Sequence, residues 1–534
     1  MKKNNSIKKY KSYVVNLLIP AVAFGFITGT VTAVIVTLFK LCAKYVIHFS
    51  QEAYGYLREY LYLIPVAVIS IFALSLLLAF IYKKMPNVKG GGIPTSLGII
   101  RGIITFKWLS SLIAVFFLSL TSFLFGVPLG TEGPSVQMGT AVGQGSAEAA
   151  PKKYRVWGKY SVTGGACAGF SVATGAPVSG ILFSVEEAHQ RMSPTIVVVV
   201  SSSVLFANIT SGVLCPLMGV GERLFEFKGL SALGITQYWI PVLVGLAVGI
   251  FSVLFLQYYR LLDKLHDCVF AKIPHSVKMF AILLLTLVFG IISFSFVSTG
   301  HELILDLVYN KGEVMILILV LLVRTTLTLC ANASGITGGV FLPILAIGAL
   351  CSSVVGNLLL MMGVSEEHYT VIVVLGITGC IAGSMKMPLT AIVFSLEALS
   401  CHENIIPVII TSFVAYIIPE ICNVKSISDT VIELREDYEE SGKEQFLVDT
   451  YVTVQPGSFA VGRQIRDIIW PRHLYVLSLK HNQTGEKANL HTGSLISSSD
   501  VLHIRYTTTD KEATARELAY IIGEQVIVER EGVL

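Results

Sequence analysis

Hydrophobic positions in this chain fall in long unbroken runs. Residues 13–39, 63–82, 240–257 and 282–297 carry no charged side chain. They approach or reach the roughly 17–25 residues with which a helix crosses a bilayer. The pattern predicts an all-α polytopic membrane part over residues 1–435, its last apolar helix ending near Cys422. A charged stretch, 436–445, then leads into a tail, 446–534, where apolar and polar positions alternate at strand spacing. Within the tail, 446–454, 474–479 and 501–506 read as strands, Pro456-Gly457 and 482–485 as turns, and 461–469 as a short helix. A second helix, 511–522, has Asp510 placed to cap it. The tail is expected to be a small cytosolic α+β domain.

Composition agrees with the runs. Of 534 residues, 53% are hydrophobic and only 14% charged, where a soluble chain carries about 25% charge. Lys2, Lys3, Lys8, Lys9 and Lys11 precede the first run, which predicts a cytoplasmic N-terminus. That run is too long for a signal peptide and lacks a cleavage site, so it reads as a retained, tilted helix. The nine cysteines are scattered without a C-x-x-C pair, which argues for small buried hydrophobes rather than a metal or disulfide framework. No Ser/His/Asp order, H-E-x-x-H or P-loop is present, so an enzyme is not expected. No cofactor and no nucleic-acid partner are implied.

The chain repeats itself. Gly130-x-Glu132-x-Pro134 with Gly139 matches Gly339-x-Phe341-x-Pro343 with Gly348, an offset of 339 − 130 = 209. Ala176-Pro177 through Val185-Glu186 matches Met387-Pro388 through Leu396-Glu397, an offset of 388 − 177 = 211. Two matches in one order at nearly one shift divide the membrane part into related halves, about 63–214 and 241–422. Such repeats usually place a substrate site near the midplane, where broken helices aim their N-termini at an anion.

Three glycine-rich breaks stand out: Gly90-Gly91-Gly92-Ile93-Pro94, Gly130 to Pro134, and Gly338-Gly339-Val340-Phe341-Leu342-Pro343. Each puts proline in a helix's first turn, where it is tolerated, and so reads as a helix start. Helix starts offer free N–H groups and about half a positive charge, enough to hold a dehydrated anion. Close helix packing is the alternative for any single break. Glu132 sits inside the second break, where an unpaired charge at membrane depth is costly. It reads either as a functional acid competing with an anion for the helix starts, or as a capping carboxylate. Glu186-Glu187 reads either as a helix end, solvated or paired with Arg191, or as part of a proton path. Because Glu397 repeats Glu186, that pair of positions looks architectural and Glu187 the specialised one.

With these motifs in order, residues 15–435 resemble the CLC family of chloride channels and proton-coupled chloride antiporters. The resemblance implies a homodimer with an ion pathway in each subunit, built from two inverted repeats of broken and tilted helices. It assigns the outer gate to Glu132 and the inner proton relay to Glu187. It places the anion against Gly91, Gly92, Ile93, Gly133, Val340, Phe341 and Ser428, and the subunit interface near 177–207 and 388–419. Three departures stand out: Gly91 replaces a customary serine, Thr131 a basic residue, and Ser428 a tyrosine. Fewer side-chain ligands imply weaker central binding and looser selectivity, with chloride the default over nitrate or fluoride. Residues 452–523 resemble the C-terminal half of regulator-of-potassium-conductance modules, through Gly457, Gly462, Gly485, Gly493-Ser494 and Asp500-Val501-Leu502; a small ligand there is one implied role. The expected protein is a chloride/proton antiporter of a bacterial plasma membrane with both termini cytoplasmic. A passive anion channel of the same fold is the alternative.

Overall fold

The computed structural model describes residues 17–268, 272–440, 444–481, 487–488, 493–524 and 530–533, apart from Gly91. Nine helices among the described residues are long and apolar enough to cross a membrane. The first, Ile19–Glu59, has 41 residues. At about 1.5 Å per residue it is twice as long as a bilayer core is thick, so it must tilt or project. The apolar run stops at Phe39, but the helix continues through Lys40, Lys44 and His48. The run 282–297 behaves in the opposite way. Its helix, His275–Ile292, ends early because Ser293 turns extended (φ −155°) and Phe294–Phe296 is a separate short turn.

In the first half, Glu132–Ala149 packs against Gly158–Thr174 so closely that a Cβ on Gly139 would lie 2.0 Å from the Gly165 carbonyl. The same contact recurs in the second half. Phe341–Met361 meets Glu366–Ser384 through Gly348 and Gly376, where an added Cβ would lie 2.8 Å from the facing carbonyl. These four helices are mostly buried, and the longer apolar helices around them expose leucine, isoleucine and phenylalanine outward. A polytopic protein facing lipid is arranged in this way.

The tail forms a five-stranded antiparallel sheet in the order β3-β2-β4-β1-β5. The strands are β1 (Phe446–Thr453), β2 (Leu474–Lys480), β3 (Lys487–Ala488), β4 (Val501–Thr508) and β5 (Arg530–Val533). Helix Lys511–Ile522 buries Leu518, Ile521 and Ile522 against Val448, Val452, Leu502 and Ile504, and Asp510 caps it by accepting from the Ala513 N–H at 2.9 Å. Two expectations change. Residues 461–469 hold only a short turn, Ile465–Asp467, because Gly462 and Ile465 donate to the Ile496 and Ser494 carbonyls instead of along a helix. The charged stretch begins as helix, since Ile427–Glu440 runs through its first residues, and Glu436 pairs with Arg472. The expected turn 482–485 lies outside the described residues.

This module packs onto the membrane part. Tyr160 donates to the Asp467 carbonyl at 2.7 Å and accepts from the Ile469 N–H at 3.1 Å. Phe459 sets its ring edge-on to Trp157, and Lys159 pairs with Glu517. Arg191, expected beside Glu186-Glu187, instead donates to the Ile468 carbonyl at 3.2 Å.

Candidate anion and proton site

The three glycine-rich breaks cross one another. Gly90 donates to the Gly335 carbonyl at 2.8 Å and accepts from the Gly338 N–H at 2.9 Å, while Gly130 and Gly339 exchange a pair of bonds at 2.6 and 2.9 Å. At the crossing, a Cβ on Gly133 would lie 2.5 Å from the Gly339 Cα and 2.9 Å from the Gly92 Cα. Only glycine lets three backbones approach so closely. Helices Ile93–Ile100, Glu132–Ala149 and Phe341–Met361 all start here. Their positive ends therefore converge on one small region.

Glu132 is fully buried at that crossing. Its Oε1 accepts from the Thr131 hydroxyl at 3.0 Å, and the backbone dipoles of Glu132 and Leu342 act on the carboxylate. Oε2, which lies beside Gly130, has no partner of normal hydrogen-bond geometry among the described residues. The carboxylate thus touches the starts of two helices, one from each half, as an anion bound there would.

The remaining predicted contacts divide. Gly92 does not offer its N–H to an anion: it donates to Gln137 Oε1 at 3.0 Å, and Gln137 Nε2 donates to the Asn87 carbonyl at 3.1 Å. Gln137 went unnoticed in the sequence, and its role shows only in the structure, where its amide is buried. Ile93 opens its helix and is buried; Gly91 lies outside the described residues. Val340 immediately precedes the Phe341–Met361 helix. The Phe341 ring packs edge-on against Phe170 and Phe394, at 5.2 and 5.5 Å between centroids. What these positions can present to an anion is backbone.

Glu187 occupies a separate cluster. It is buried in a wide helical turn, Ser184–Ala188, after helix Pro177–Phe183. Ser428, expected against the anion, has its buried hydroxyl facing this carboxylate, though neither Ser428 Oγ nor Glu187 Oε1 has a bond of normal geometry among the described residues. Arg101, unremarked in the sequence, brings them together. It donates to the Glu187 carbonyl at 2.8 Å, to the Ala188 carbonyl at 3.4 Å and to Asp429 Oδ1 at 2.8 Å. Gly92 precedes the Ile93–Ile100 helix and Arg101 follows it. The Glu132 and Glu187 clusters therefore stand at opposite ends of a helix about 12 Å long.

Glu186 differs from its neighbour. Its carboxylate accepts from the Leu389 and Thr390 N–H groups at 3.0 and 2.7 Å and from the Thr390 hydroxyl at 2.7 Å. Glu397 returns the arrangement, accepting from the Val178 and Ser179 N–H groups at 2.8 and 2.9 Å and the Ser179 hydroxyl at 2.8 Å. Each half thus caps a helix of the other. The position repeating Glu187 is Ala398, at 187 + 211.

Comparison with known proteins places this geometry. The family model described as voltage gated chloride channel matches residues 74–420. The H(+)/Cl(−) exchange transporter ClcA of Vibrio parahaemolyticus is 26% identical over 406 residues, covering 74% of this chain and 85% of that protein. The transporter of the same name from Salmonella arizonae is 25% identical over 431 residues, covering 78% and 90%. Among solved structures, a slow cyanobacterial Cl−/H+ antiporter superposes with a TM-score of 0.67 at 24% identity, covering 78% of this chain and 97% of that one. A CLC-type fluoride/proton antiporter gives 0.61 at 16%, covering 75% and 95%. Both superpositions speak to fold.

Proposed function

Because this chain belongs to the voltage gated chloride channel family, we propose that it exchanges chloride for protons across a membrane. The observation that carries the reading is the Glu132 carboxylate, buried where the helix starts of both halves meet. As a carboxylate it occupies a place suited to an anion; protonated, it no longer competes for the N–H dipoles and gives way to chloride. Glu187, about one short helix away, supplies protons from the cytosolic side, and the Ser428 hydroxyl that faces it is the first partner on that route. A channel needs no second buried acid, so Glu187 supports exchange over passive conduction.

The remaining assignments follow from this reading. The anion is held mainly by backbone around Ile93, Gly133, Val340 and Phe341, which favours modest affinity and places chloride ahead of nitrate and fluoride. Two copies associate through the segments near 177–207 and 388–419, which present the exposed apolar side chains Val178, Leu205, Leu389 and Ile406. The site lies in a bacterial plasma membrane with both termini in the cytosol. The tail is a regulatory module, and a cavity of about 760 Å³ between Tyr160, Phe459 and Tyr520 is where a small ligand would act on it. The protein carries no catalytic chemistry and no resident cofactor.

The test is flux in liposomes with simultaneous pH recording. Glu132→Gln is expected to stop proton movement while chloride flux continues. A variant that still pumps protons against a chloride gradient overturns the proposal, and a reversal potential indifferent to pH in the native protein decides for the channel.

A further inference from the structure

No basic residue adjoins Glu132 in sequence: Thr131 and Gly133 flank it. A lysine reaches its surroundings from another helix. Lys40, midway along Ile19–Glu59, is half-buried, and its Nζ donates to the Val172 carbonyl at 3.1 Å and the Gly221 carbonyl at 2.9 Å, with Glu222 O at 3.5 Å. Val172 lies in the last turn of the Gly158–Thr174 helix, which ends at Gly175 in the left-handed region (φ +70°). The negative end of that helix dipole, together with its free carbonyls, makes a seat for a cation.

The register between helices relates this seat to Glu132. Antiparallel packing sets Gly143 against Ser161, Gly139 against Gly165 and Gly169 against Ser135. Each pair sums to the same number, so carrying the register three residues further sets Glu132 opposite Val172. By this register the Lys40 ammonium rests on the carbonyl of the residue opposite Glu132, close enough for its charge to be felt at the carboxylate without an ion pair between them. The other titratable groups facing Lys40 are Glu222 on the following loop and Cys215 on the Pro194–Met218 helix. Facing Glu132 there is also the Thr131 hydroxyl.

We propose that Lys40 is a positioning residue for the exchange reaction: it supplies the positive charge that draws chloride to the Glu132 site and sets the pH range over which Glu132 gives way. This rests on the exchange reading above. The bonds to Val172 and Gly221 also pin the 219–224 loop, so the test must separate charge from pinning.

Full-length protein reconstituted in liposomes is assayed for chloride flux against external pH and chloride concentration. Lys40→Gln keeps a donor for the carbonyls and removes the charge. It should move the midpoint of the flux–pH profile upward by about one pH unit and raise the chloride concentration for half-maximal flux several-fold. Lys40→Arg should match the native profile. Lys40→Gln combined with Thr131→Arg restores a charge from a different element without mending the loop, and should recover most of the shift. A native profile in Lys40→Gln, or no recovery in the double variant, overturns the proposal. If Lys40→Gln does not fold, Lys40→Met, which keeps the length of the side chain without its charge, carries the test: the midpoint must move to higher pH, and no movement overturns the proposal. Glu132→Gln is the control for the underlying reading. It should give flux independent of pH, and a native profile there would fail the exchange reading itself, whatever the lysine variants show.

Discussion

Where the first half carries Glu132 in its glycine break, the second carries Phe341, although the two breaks pair through Gly130 and Gly339 as near mirror partners. Further along, Glu186 and Glu397 are alike in position and in bonding, each capping a helix of the opposite half. The next residue breaks the likeness again, with Glu187 facing a buried hydroxyl and its mate Ala398 a buried methyl. What both halves keep holds them to each other. What only the first half has is what the proposed exchange uses.

The sharpest way to break this comparison is Gly133→Ala. The new Cβ would meet the Cα of Gly339 and of Gly92, and backbone at a three-way crossing cannot yield. The expected outcome is no folded protein, seen as loss of the monodisperse peak in size-exclusion chromatography. Next comes Glu187→Ala, which gives the first half the residue the second already has. Proton transport should vanish while chloride flux persists. Thermal stability should hold or rise, because an isolated buried acid costs desolvation and this one has an oxygen with no normal bond.

Glu186→Ala and Glu397→Ala should behave oppositely. Each orphans two backbone N–H groups and a hydroxyl and costs about 1–2 kcal/mol at these half-exposed sites, with no change in the proton-to-chloride ratio. A thermal melt and a coupled flux assay on each suffice. Loss of proton movement in Glu186→Ala would reassign the relay from Glu187 to its neighbour. The smallest effect belongs to the contact between regions: Tyr160→Phe leaves the Asp467 carbonyl and the Ile469 N–H without their shared partner. It should loosen the C-terminal module by about 1 kcal/mol, read as faster proteolytic release of the tail.

Much of this was legible in the chain because bilayer physics is written in composition. The glycine–proline breaks, the halves and the difference between Glu186 and Glu187 were all readable as spacing. The unread parts depend on contacts between residues far apart in sequence. Arg101 was one more basic residue after an apolar stretch until its carbonyl partners at 187 and 188 were in place. Gln137 gave no sign that it would take the Gly92 amide. Lys40 marked the end of a hydrophobic run, whereas the helix goes on because a lysine that finds carbonyls of its own need not end a span. In the tail, 461–469 carried a helical pattern that pairing with 494–496 overrode.

The exchanged caps also bear on how the protein is made. Glu186 emerges from the ribosome 204 residues before Thr390, a wait of roughly 10–40 s at ordinary elongation rates. Throughout that time the first half has been delivered to the lipid with an acid at the end of a helix and nothing to bind it. Completion of the second half releases both acids from waiting at once, so the halves are expected to lock in a single late event rather than one after the other.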